Sequence, residues 1–242
     1  MKKVEAPPML IPMPTAMTTD ASLYRLMAWL SPSFPVGAFS YSHGLEYAVE
    51  TGLVRTRENL VGWIAAVLRQ GSGLSDGMLF VAAWRARDAD DPMALGLVLE
   101  LAAALRPTSE LALESAAQGA AFVRAIRDAW PHPVLLSALP EDGDVGYAPA
   151  VAVCAHAHGL NLRAALRAFL HAFAANLISA GVRLIPLGQT DGQIALRLLE
   201  AEVEATAELA ERLPLEEIGS ATPMLDYCSA QHETQYTRLF RT

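Results

Sequence analysis

Six histidines and two cysteines are the side chains best suited to bind metal or move protons here, and their spacing limits what they can do. Cys154 and His158 stand four residues apart with His156 between them, and Cys228 and His232 repeat the interval. On a helix, that interval stacks a thiolate over an imidazole, a pair able to share Zn²⁺ or Ni²⁺. A structural metal site needs about four ligands, and neither pair closes one alone. Cys154 lies in an apolar stretch, where a thiol behaves as a small hydrophobe. No permanently bound metal and no cofactor is expected.

Ser40-Tyr41-Ser42-His43-Gly44 sets two serines close to a histidine, as a nucleophile and its base would be. There is no G-x-S-x-G elbow and no strand pattern to display one, so capping serines and a packed histidine are the expected reading. Gly71-Ser72-Gly73 lacks the Lys-Ser/Thr of a phosphate-binding loop and reads as a turn between helices. No catalytic residue is assigned. The stretch from His232 to Thr242 is rich in aromatic, arginine and amide side chains, the types that concentrate at interface hot spots. From chemistry alone, it either meets a partner or docks on its own core.

Helices must position these groups. Alanine and leucine dominate, and aromatics are 7% of the chain. Helices are expected over Asp20 to Leu30, Ser40 to Glu50, a segment capped by Thr56 and ended by Gly71 and Gly73, Ser75 to Ala86, Met93 to Leu105, 108–130, Ala148 to His158 and 162–184. Ser31 to Gly37, with two prolines and a glycine, reads as a stiff loop. Thr190-Asp191-Gly192-Gln193 has capping-box spacing ahead of one amphipathic helix through Leu209. The result is an all-α, single-domain bundle of roughly ten helices over 20–217. A flexible arm over 1–19 and a partner-binding tail over 218–242 flank it.

Apolar residues make up 52% of the 242, enough for a substantial core, and charged residues only 18%. A net charge of −8 argues against nucleic acid and anionic membranes. No uncharged apolar run reaches the roughly 18–20 residues of a membrane span. Two cysteines without a CxxC pair suit a reducing, cytoplasmic setting.

Three stretches then carry a resemblance. Ser31 to Glu46 (SPSFPVGAFSYSHGLE), Asn176 to Gln193 (NLISAGVRLIPLGQTDGQ) and His232 to Thr242 (HETQYTRLFRT) are similar, in order and spacing, to the signatures of the urease accessory protein family UreF. Two positions depart: Gln231 stands where the family often has arginine, and Gly181 where serine or alanine is common. The resemblance implies an all-α homodimer without catalytic turnover. It implies binding to UreD (UreH) and then to the GTPase UreG, and nickel delivery to urease apoprotein. It marks His232, Glu233, Gln235, Tyr236, Arg238, Leu239, Phe240 and Arg241 as a partner-binding segment supported by Tyr41. Arg183 is expected to support the core or the dimer, and His43, Glu46 and His232 to line a nickel path. The alternative is a metallochaperone binding nickel directly through Cys228 and His232.

Overall fold

The computed structural model describes residues 20–140 and 145–242; the expected arm over 1–19 lies outside the described residues. Among the described residues there are twelve α-helices, two 3-10 turns and no strand. The first six are α1 (Asp20–Trp29), α2 (Leu45–Glu50), α3 (Arg57–Gln70), α4 (Ser72–Asp88), α5 (Pro92–Ala104) and α6 (Ser109–Ala129). Then come α7 (Pro133–Ala138), α8 (Tyr147–Ala157), α9 (Leu162–Leu184), α10 (Gln189–Leu198), α11 (Glu200–Arg212) and α12 (Pro223–His232). The all-α expectation holds.

Short polar side chains start many of these helices, as their sequence positions require. Thr56, Asp91, Thr108 and Asn161 accept backbone N–H bonds from Asn59, Ala94, Leu111 and Ala164 at 3.2, 2.9, 3.2 and 3.1 Å. Each satisfies a donor that the first helical turn leaves open. α4 packs against α3, α5, α8, α9 and α11, and α9 against α2, α3, α8, α10 and α11. α9 has the length and apolarity of a membrane span, yet half of that window is buried against these neighbours.

Four expectations change. The helix expected from Ser40 begins only at Leu45, because His43 (φ 56°) and Gly44 (φ 75°) adopt left-handed backbone that no helix continues. Gly73 does not end a helix. It lies inside α4, so close to α3 that a Cβ there would sit 2.6 Å from Leu68 Cα. The capping box is not built on Thr190 and Gln193: Gly188 N–H donates to Asp191 at 3.3 Å, and the N-cap lies two residues earlier, at Gly188. The long amphipathic helix is two, α10 and α11, meeting at the fully buried Leu199. α7 lies outside the expected helices; Pro133 opens it at a position where proline costs no hydrogen bond.

Candidate functional site

Gly44 sets the geometry. A Cβ there would lie 3.1 Å from Ser229 N and 3.3 Å from Leu225 O, so the backbones of 42–46 and α12 touch. That approach brings Glu46, on the first turn of α2, to His232, on the last turn of α12. Glu110 and Glu114 project from one face of α6 toward the same place. All four carboxylate and imidazole groups are buried, and His232 is 0% exposed.

His232 Nε2 lies 2.9 Å from Glu46 Oε2, and Nδ1 lies 2.8 Å from Glu110 Oε2. Two nitrogens facing two carboxylates require a proton on each contact, carried by the ring or by a carboxyl. Burial pushes the Glu110 carboxyl above its usual range, while His232 and then Arg238 pull it back. Arg238 donates from Nη1 to Glu110 Oε1 at 3.1 Å.

Glu46 also holds the segment that follows α12. Its carboxylate accepts the backbone N–H of Leu239 at 2.6 Å and of Phe240 at 3.0 Å. Ser42 donates its N–H and its hydroxyl to the Thr242 carbonyl oxygen at 2.6 and 2.7 Å, and Arg241 N–H donates to Ser40 O at 2.8 Å. Arg183, in the second signature stretch, stacks its guanidinium 4.3 Å from the centre of the Phe240 ring. Arg241 lies 5.8 Å from the centre of the buried Tyr41 ring, whose hydroxyl pKa burial raises against the pull of Arg241. The three stretches thus meet in one buried polar seam, and the segment after α12 docks on its own bundle.

A second imidazole lies beside the first. His43 Nδ1 is 3.0 Å from Glu114 Oε2, and its Nε2 is 2.5 Å from Ser72 Oγ. Neither nearby serine serves His43: Ser40 donates to Gly37 O, and Ser42 to Thr242 O. The serine that does is 29 residues away. Ser72, His43 and Glu114 have the connectivity of a nucleophile, base and orienting acid. Ser72 is partly exposed and is not among the residues that line the cavity reaching His43 and Glu114.

The outer side of the docked segment is another matter. Tyr236 is fully exposed, and Leu239 and Phe39 are each 66% exposed. Glu233 accepts from Ser109, and Gln235 donates to Glu50 and to Thr237 O, so these two brace the segment. Cys228 is fully buried with its thiol pushed up to about 11 by burial, and both nitrogens of His232 are already engaged. The arrangement offers no imidazole lone pair to complete a Cys228–His232 chelate. Cys154 is buried with its thiol raised, and His158 instead packs its ring edge-on to Trp29. Among the described residues, no three His, Cys, Asp or Glu side chains converge as a metal site.

Sequence reasoning passed over Glu110, Glu114 and Gln118, and read Ser72 only as part of a turn. The first three left a signal: they occupy successive turns of the α6 stripe that Phe122 and Ile126 continue as core. Charge on the buried stripe of an amphipathic helix marks a partner across the interface.

The fold and seam define a class: an all-helical bundle whose own C-terminal segment is built into its interior polar network. The family model for UreF matches residues 54–200. The urease accessory protein UreF of Granulibacter bethesdensis is 50% identical over 230 residues, covering 95% of this chain and 98% of its own. Its counterpart in Rhodopseudomonas palustris strain BisB5 is 50% identical over 95% of each chain. That of Bradyrhizobium sp. strain ORS 278 is 50% identical over 92% of each. The chain belongs to the UreF family of urease accessory proteins.

Proposed function

We propose that this chain acts without catalytic turnover, as a scaffold that binds UreD (UreH) and recruits the GTPase UreG so that nickel reaches urease apoprotein. One observation carries the reading. The seam fixes residues 238–242 from inside and leaves Tyr236, Leu239 and Phe39 facing outward. Interior fixation lowers the ordering cost of binding, and exposed aromatic and aliphatic anchors supply its energy. A homodimer in the cytoplasm is part of this reading; the exposed Leu23, Tyr24 and Met27 on α1 provide an apolar face for it. The nickel path belongs to this reading too: along the buried line of His43, Glu46 and His232, extended by Glu110 and Glu114, a passing Ni²⁺ would be met by carboxylate oxygens, since both ring nitrogens of each histidine are already bonded.

The test is co-purification with UreD and UreG. Deleting 230–242 is expected to abolish assembly while most helical circular dichroism remains. Undiminished assembly by the truncated chain would refute the reading. Direct nickel carriage by Cys228 and His232 predicts tight stoichiometric Ni²⁺ in equilibrium dialysis, lost in Cys228→Ala; the engaged ring nitrogens lead us to expect none.

A further inference from the structure

We propose that a half-open cavity beside the seam receives the guanidinium of an arginine side chain presented by a protein partner. The proposal rests on the docking role above and adds the chemistry of what docks. The cavity holds about 220 Å³. Pockets for drug-sized ligands run to roughly 300–1,000 Å³, so this one suits a side chain rather than a cofactor. It lies between the 31–39 segment and α9. Exposed Phe39 and His171 stand among its lining residues, which places the mouth on that side.

The lining selects for a cation. Phe39, Tyr147, Phe169 and Phe173 give it aromatic walls and Asp76 a carboxylate; Glu114 also lines it but is already engaged by His43, Gln118 and Thr242, and His171 stands at the mouth. Arg106 already donates to Asp76 Oδ1 at 2.7 Å, so no unpaired positive charge awaits an anion. The other Asp76 oxygen and the Asn176 side chain make no hydrogen bond among the described residues. Aromatic faces attract a cation through their quadrupole, and a carboxylate oxygen with an amide oxygen accepts from a planar fork. Arginine satisfies both demands at once, being planar, weakly hydrated and always charged. The net charge of −8 favours a cation's approach. Two stretches that carry the family resemblance, 31–46 and 176–193, both contribute to the lining.

The experiment titrates the full chain with N-acetyl-arginine methylamide while NMR follows its aromatic and amide resonances. Norleucine and lysine counterparts serve as probes of bulk and of charge alone. Saturable shifts centred on Phe39, Phe173 and Asn176, strongest with the arginine probe, are expected. Phe39→Ala, at the exposed rim, should weaken binding about tenfold, the scale of a partly desolvated cation–π contact. Asn176→Asp should retain binding or improve it. Equal shifts with norleucine would reduce the cavity to a greasy cleft, and equal affinity for lysine would remove the planar recognition. Shifts spread over the acidic surface, or none that saturate, would also overturn the proposal. Assembly with UreD and UreG is measured separately. A chain that assembles yet ignores arginine loses only this inference, and one that binds arginine yet fails to assemble loses the docking role and the partner named here.

Discussion

Two buried regions of this bundle are held by opposite means. Around α8 the helices close on small side chains: Ala148, Ala150, Ala152 and Ala155 are fully buried, and Gly119 of α6 lies so near α8's entry that a Cβ would meet Val145 O at 1.8 Å. Its stability comes from dispersion and from water left behind. The seam is as inaccessible, yet it holds Glu46, Glu110, Glu114, His43 and His232. There each group is tolerable only because another faces it, and removing one strands its partner. The dry region tolerates no added volume, and the seam tolerates no missing member.

The largest effect should come from breaking the seam. Glu46→Ala leaves His232 and two backbone N–H groups without their acceptor, and removing one side of a buried pair costs about 3–5 kcal/mol. Urea denaturation together with limited proteolysis after Gln235 would show both the loss and a freed segment. A wild-type midpoint would mean the seam does not hold. Gly119→Ala probes the dry region: the methyl would meet backbone, so overpacking should cost about 1–3 kcal/mol with the end segment still protected. If that variant frees the segment too, the two regions are one cooperative unit.

Acidity sharpens the contrast. Burial lifts the Glu110 carboxyl, so the folded chain holds that proton more tightly than the unfolded one. Glu110's contribution is therefore greatest below its unfolded pKa of about 4.3 and declines as pH rises through the raised folded value. Glu110→Gln should flatten that part of the stability–pH profile; an unchanged slope would place the titration elsewhere. Smaller still, Arg183→Ala should cost about 0.5–1 kcal/mol, the usual worth of an exposed cation–π contact, read as faster hydrogen exchange at Phe240. Lastly, a serine-directed fluorophosphonate should leave Ser72 unlabelled, as a chain proposed to act without catalytic turnover requires.

The dry region was legible in the sequence. Apolar periodicity located α3, α4, α6 and α9, and Thr56 marked its helix start. The seam was legible only in its parts. His43, Glu46, His232 and Arg238 were singled out, but the α6 partners of His43, His232 and Arg238 were not, since periodicity reads neighbours along a helix and not a residue 71, 122 or 128 positions away. The helix start near Ser40 failed for a local reason: left-handed backbone at a non-glycine such as His43 is rare enough that composition does not announce it.

The bonds joining Glu46 to His232 and to Leu239 span 186 and 193 positions of chain. Pairings of such separation lose the most loop entropy before they return any stability, and they form late. While the polypeptide is being made, α2 and α6 leave the ribosome with Glu46 and Glu110 still wet and unmatched, while Glu114 already has His43 and Gln118 at hand. A newly synthesised molecule therefore passes through an interval in which its sealing segment is missing, and any protein that engages it then meets an open, negatively charged trough in place of the finished surface.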